Sequence, residues 1–197
     1  MTTAHDHGHV HHHHEHGEHD AACDVAHGHA PQPGTGLTLV AVFDTPVARY
    51  LLRYGGDAGY RPVLVEPDPS VAGQSDGLAE LRTAIGTDLD AATDVVVTDH
   101  HRDELGVMLR DALATPARWV GIMGSPRVEP PHIEALALLG VDPDDIARVR
   151  RPIGLNIGSK TPPEIAISTL AGLIADRNDC PGGFDFSDAA RTRVPTS

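Results

Sequence analysis

Residues 37–43 read Leu37-Thr38-Leu39-Val40-Ala41-Val42-Phe43 and run straight into Asp44-Thr45-Pro46. An almost unbroken apolar run of this length describes a strand covered on both faces, the kind found inside a parallel sheet. Thr45 then offers an N-cap and Pro46 the first helical position, with Val47, Tyr50, Leu51 and Tyr54 along one face of the helix that follows. This strand–turn–helix unit sets the pattern for the chain. Further strands are expected at 62–66 (PVLVE), 94–98 (DVVVT), 119–123 (WVGIM) and 148–153 (RVRRPI). Between them, a short helix is expected at 76–85 and another at 103–114. In the latter, Leu105, Met108, Leu109, Ala112 and Leu113 follow the i, i+3, i+4, i+7, i+8 rule. A helix at 130–139 stops at Gly140. Asp142-Pro143-Asp144-Asp145 reads as a turn opening one helical turn, and Thr161-Pro162-Pro163-Glu164 as a capping box ahead of an apolar helix at 165–175. The fold class is therefore α/β: a Rossmann-like open parallel sheet with helices on both faces.

That domain spans 37–178. Residues 1–36 form a His-rich tail and linker with almost no large apolar side chain, so disorder is expected there. Residues 179–197 form a C-terminal tail, with Phe184 and Phe186 as docking points. The whole chain of 197 residues carries −13 with histidine neutral, and 28 acids against 15 bases make nonspecific binding to nucleic acid or an anionic membrane a poor fit. Asp6, Glu15, Glu18, Asp20 and Asp24 place −5 of that charge in the tail. No apolar run reaches the roughly 18 residues of a membrane span, and the polar N-terminus does not read as a secretory signal. Cys23 and Cys180 suggest no disulfide framework, and neither falls near the expected site in sequence. A cytoplasmic protein is the expectation.

In an open parallel sheet, ligands bind beyond the carboxyl ends of the strands. Here the polar and glycine residues gather at those ends. The first turn lacks the G-x-G-x-x-G of a dinucleotide fold: Asp44 brings a carboxylate and Pro46 removes an amide donor, so NAD(P) is not expected. Glu66 stands where a ribose-binding acid would be, with a solvated strand end as the plainer reading. Asp99, His100 and His101 are either a polar clamp or acid/base group, or a loop capping the next helix. Gly124 and Ser125, with Arg127 close by, are ligand contacts or an ordinary turn. Backbone amides of Gly154, Asn156, Gly158 and Ser159 can approach an anion, since Pro162 and Pro163 delete two donors from the helix that Thr161 caps. Lys160 is the only lysine beside 14 arginines, which hints that a compact ammonium is wanted there.

The stretch Trp119-Val120-Gly121-Ile122-Met123-Gly124-Ser125-Pro126-Arg127 and the string Pro152-Ile153-Gly154-Leu155-Asn156-Ile157-Gly158-Ser159-Lys160-Thr161-Pro162-Pro163-Glu164-Ile165-Ala166 resemble the C-terminal Rossmann-like domain of the XdhC/CoxI family. These are maturation factors of molybdenum hydroxylases such as xanthine dehydrogenase. Val97-Thr98-Asp99-His100-His101 is similar to the family's Thr-His-Asp-His region in altered order. The resemblance covers about 37–177. It implies binding of the molybdenum cofactor (molybdopterin), its sulfuration with a cysteine desulfurase, and its delivery to a molybdenum hydroxylase apo-enzyme. Larger family members carry a separate N-terminal domain where this chain has its tail.

Two other function classes stay open. One is an NAD(P)- or flavin-binding oxidoreductase, against which the first turn speaks. The other is a metal-handling protein, in which His9, His11, His12, His13, His14, His16 and His19 hold Ni²⁺, Zn²⁺ or Cu²⁺ in labile sets, with Cys23 as a further ligand. No nucleophile–base arrangement is legible, so an accessory factor is favoured over an independent enzyme. Monomer and homodimer are both compatible with the sequence.

Overall fold

The computed structural model describes residues 21–28, 36–68, 70–71, 77–125 and 127–183. The histidines from His9 to His19, together with Phe184 and Phe186, lie outside the described residues. So does Pro126. Within the tail expected to be disordered, the described stretch contains one helix, α1 (Ala21–Ala26). Alanine at 21, 22 and 26 supplies the propensity that the polar segment before it lacks.

The domain contains β1 (Thr38–Val42), α2 (Pro46–Asp57), β2 (Arg61–Val65), β3 (Glu80–Arg82), β4 (Thr93–Val97), α3 (Leu105–Leu113), β5 (Trp119–Ile122), α4 (Pro131–Leu138), α5 (Pro143–Ile146) and α6 (Pro162–Arg177). All five strands are parallel, in the order β3-β2-β1-β4-β5. The chain order reverses between β1 and β4. That is the topological switch point at which doubly wound sheets bind ligands.

The apolar run at 37–43 is continuous because both faces are covered. Val40 and Val42 join Val95, Val97 and Ile122 beneath Leu109, Ala112 and Leu113 of α3. Leu39 and Ala41 face the other way, onto Leu51 and Leu52 of α2 and Leu170 and Leu173 of α6. The helix starts follow the sequence signals. Thr45 caps α2 by accepting from Ala48 N–H at 3.1 Å, Asp142 caps α5 by accepting from Asp144 N–H at 2.9 Å, and Glu164 closes the capping box of α6. Among the described residues, no helix is long and apolar enough to cross a membrane.

Two elements differ from the sequence reading. The helix expected at 76–85 is replaced by β3, which pairs Glu80, Leu81 and Arg82 with Val63, Leu64 and Val65. Leu78, Leu81 and Ile85 mimic helical spacing, but the segment is an edge strand of three residues, bordered by the ion pairs of Arg82 with Glu80 and Asp88. Charged side chains are a common guard on sheet edges. The strand expected at 148–153 is a single parallel bridge between Gly121 and Arg150. Arg148 and Val149 amides still complete the turn of α5, and Pro152 has no amide to extend a ladder.

Gly154 and Gly172 bring the 153–155 segment into contact with α6. Gly154 has φ +84°, and a Cβ on it would lie 2.6 Å from Ser168 Oγ; a Cβ on Gly172 would lie 2.9 Å from Gly154 Cα. Left-handed backbone and a closed contact together predict that Gly154→Ala costs about 2 kcal/mol. A urea titration should show a lower midpoint at unchanged slope. An unmoved midpoint would contradict the tight contact.

Candidate functional site

The carboxyl edge of the sheet divides into two halves with different chemistry. Over β1 and β2 everything converges on Glu66, which is fully buried. Its carboxylate accepts from Asp44 N–H at 2.9 Å and Asp68 N–H at 3.0 Å, and from both terminal nitrogens of Arg102 at 2.9 and 3.2 Å. Arg102 also lies over the Phe43 ring, 4.7 Å from its centroid. Phe43 is itself buried, with φ +72°, a conformation that bulky residues adopt only where the surroundings enforce it. Thr98 helps enforce it, its hydroxyl lying 3.0 Å from Val42 O and 3.1 Å from Phe43 O while accepting from Thr45 Oγ1 at 2.9 Å.

Glu66 is therefore neither a solvated strand end nor a ribose ligand in waiting. Two amides and a bidentate guanidinium occupy its acceptor positions. The first turn is committed as well: Asp44, Thr45 and Ala48 amides all have protein acceptors, and the Asp44 carboxylate is ion-paired with Arg49 at 2.7 Å. A pyrophosphate would find few donors there and a carboxylate in its way.

The half over β4 and β5 is organised by Arg151, which the sequence reading passed over. Its guanidinium donates to Ser125 O at 2.9 Å and Val128 O at 3.1 Å, clamping the loop after β5. Gly124 is what admits it, because a Cβ there would lie 2.7 Å from Arg151 Nε. Ser125 Oγ accepts the Arg127 amide at 3.3 Å, so Ser125 is spent on its own turn, while the Arg127 side chain is exposed. Asp99 accepts the His101 amide at 2.9 Å in an Asx turn and does not cap α3, whose N-cap is Glu104. His100 is half-buried, bonds the Met123 backbone and stacks on His101 with ring centroids 4.0 Å apart. Burial first, then the charges of His101 and Arg151, hold its pKa below the usual histidine value.

The segment 154–161 splits into two roles. Gly154 is used for packing, and Leu155 donates its amide to Ser168 O while its carbonyl accepts from the Ser168 hydroxyl. Lys160 and Thr161 amides are both taken by Glu164 Oε2, at 2.9 and 3.1 Å. Asn156, Gly158 and Ser159 amides, and the exposed Lys160 ammonium, have no protein partner among the described residues. Cys180, expected to be remote, shares a cleft of about 260 Å³ with Ile153, Gly154 and Leu155. No cluster of three metal-ligating side chains occurs among the described residues.

Parallel strands in this order, helices on both faces and polar loops gathered at the carboxyl edge define a Rossmann-like domain. The chain belongs to the XdhC family: the family model described as the XdhC Rossmann domain matches residues 39–173. It is 43% identical over 69 residues to the Escherichia coli (strain K12) protein described as uncharacterized protein YqeB, a match covering 35% of this chain and 13% of YqeB. A solved structure described as a xanthine dehydrogenase from Bacillus halodurans superposes with a TM-score of 0.58 at 22% identity, over 73% of this chain and 45% of that one. The chain thus spans less than half the length of either relative, and the superposition speaks for the fold.

Two outcomes test this geometry. Glu66→Ala leaves the Asp44 and Asp68 amides without their acceptor and Arg102 with Glu104 alone, and should cost about 3 kcal/mol in denaturant titrations. A loss below about 1 kcal/mol would remove Glu66 from its central place. His100, depressed in the folded state, should titrate by NMR with a midpoint under the ordinary 6.5. Below that ordinary value the unfolded chain takes the proton first, so the stability His100 contributes is present above about pH 6.5 and fades as pH falls through its folded pKa. A midpoint above 6.5 would reverse the sign.

Proposed function

We propose that this protein is an accessory factor in the maturation of a xanthine-dehydrogenase-type molybdenum hydroxylase, holding the anionic molybdopterin cofactor at the β4/β5 half of the carboxyl edge. The observation that carries this reading is the distribution of ion pairs. Seven arginines of the domain lie within 4.0 Å of a carboxylate: Arg49, Arg61, Arg82, Arg102, Arg110, Arg118 and Arg148. In a chain with nearly two acids per base, Arg53, Arg127, Arg150, Arg151, Arg177 and Lys160 have no such partner among the described residues, and three of them belong to the β4/β5 half of the carboxyl edge. Arg127 and Arg151 flank the loop after β5, and Lys160 precedes α6 beside the uncommitted amides of Gly158 and Ser159.

That donor set suits a phosphate. Arg127 and Lys160 supply charge, backbone amides supply directed donors, and His100, kept neutral, supplies a hydrogen bond without adding a proton to the balance. The cofactor itself supplies the molybdenum chemistry, which belongs to the client enzyme. This chain binds, orients and hands over; sulfuration by a cysteine desulfurase and docking on the apo-enzyme complete the same reading. The committed first turn and the four-bonded Glu66 carboxylate count against the nicotinamide alternative.

Protein purified from a host making molybdopterin should release a fluorescent oxidised pterin, and Lys160→Ala and Arg127→Ala should each lower its yield about tenfold, as expected for loss of one charge-assisted contact. Calorimetry with NADPH should show no heat at concentrations where pterin is retained. Pterin-free wild-type protein, or retention indifferent to both substitutions, would sink the proposal.

A further inference from the structure

α4 reads Pro131-His132-Ile133-Glu134-Ala135-Leu136-Ala137-Leu138, apolar on nearly every side, yet only His132 and Leu136 are buried. A helix that is apolar all round belongs in an interior. Here Leu138 is 80% exposed, and Val128, Ile133 and Leu139 on either side and along it are 54%, 48% and 40% exposed. Four of the large exposed apolar residues thus fall within twelve positions. Beside them lies a hollow of about 540 Å³, lined by Ile133, Ala137, Pro143, Ile146, Val149 and Arg151. His132 borders the same hollow at 5% exposure, and its Nδ1 has no hydrogen-bond partner among the described residues. The face is unfinished in both its apolar and its polar parts.

We propose that a second copy of this chain covers it, α4 packing antiparallel on its counterpart across a two-fold axis. A two-fold interface uses one patch twice and must be complementary to itself. This patch carries both halves of the fit, a projecting Leu138 and, next to it, the hollow at Ala137. Its charges are arranged in the same sense. Arg127 precedes the helix and has no carboxylate partner among the described residues, while Asp142, the N-cap of α5, and Asp144 in its first turn follow the helix without a basic one. Antiparallel pairing sends the Arg127 of each copy toward the Asp142 and Asp144 of the other. Arg127 then stands at the seam between this interface and the cofactor edge, while Arg151 stays bound to Ser125 and Val128. The dimer goes beyond the cofactor reading and does not depend on it.

Sedimentation velocity of the full chain, from about 1 to 100 µM, tests the inference directly. The wild type should sediment as a dimer. Leu138→Glu and Ile133→Lys change exposed side chains, so thermal melts should show them folded, and each should weaken association at least about a hundredfold because the interface loses the contact twice. A wild type that stays monomeric at the highest concentration overturns the proposal, as does a dimer that survives both substitutions. A monomeric wild type whose capture of a purified molybdenum hydroxylase is abolished by Leu138→Glu would give the face to that enzyme, overturning the second copy as its occupant. Pterin content, read on the same samples, reports separately on the cofactor reading.

Discussion

A carboxylate with no exposure to solvent sits at the end of β2, and the arrangement of the carboxyl edge follows from how Glu66 is satisfied. Moving such a charge out of water costs several kcal/mol, offset only where geometry is good and every acceptor position is filled. Glu66 is filled by groups from three separate stretches: the turn after β1, its own strand end and the loop before α3. Drawing in the Asp44 amide closes the first turn, and drawing in Arg102 presses a guanidinium onto Phe43, whose left-handed backbone needs that enforcement. The part of the fold where a dinucleotide would seat its phosphates is thereby converted into a buried polar joint.

Closing one half of the edge moves the chemistry to the other. Over β4 and β5 the organising group is also a guanidinium, but Arg151 is held by two carbonyls and by no carboxylate among the described residues. Its charge is left to act on its surroundings, and both neighbouring histidines register it, since Arg151 is among the causes that lower the pKa of His100 and of His132. The contrast with the amino edge is instructive. There, Asp94 is buried on β4 but paired with Arg118, which also reaches Asp176 on α6, while Tyr60 bonds Arg177. Charge at that edge is consumed in fastening α6 to the sheet.

The sheet and its helices were legible because their cause is local: continuous apolar runs, caps at Thr45, Asp142 and Thr161, and the period of Leu105 to Leu113. The misread pieces are those whose structure comes from elsewhere. β3 is a strand only because β2 offers it a ladder, and 148–153 stops at one bridge because α5 and Pro152 claim its amides. The site followed the same division. Gly124 was noticed as a glycine, but its purpose is to admit a side chain 27 positions away, and Gly154 proves to be a packing residue of α6. Glu66 was noticed and undervalued, since nothing in the sequence says that Arg102 and two amides will meet it. One signal for Arg151 was present: an arginine pair directly before Pro152-Ile153-Gly154, at the end of a segment read as a strand, puts two guanidinium groups where the other strands of the sheet are apolar.

The net charge of −13 is the remaining constraint, and it bears on function less than it first suggests. At physiological ionic strength, exposed charges more than about 8 Å apart are largely screened, so a ligand responds to the few groups around it and not to the total. Most acids near arginines here are neutralised pairwise, and the residual field is local in sign. It is positive around the loop after β5 and at the approach to α6, and negative on α5. An acidic protein built in this way repels polyanions, which integrate over many contacts. A single small anion samples one edge, and at that edge the cations are the groups left without partners.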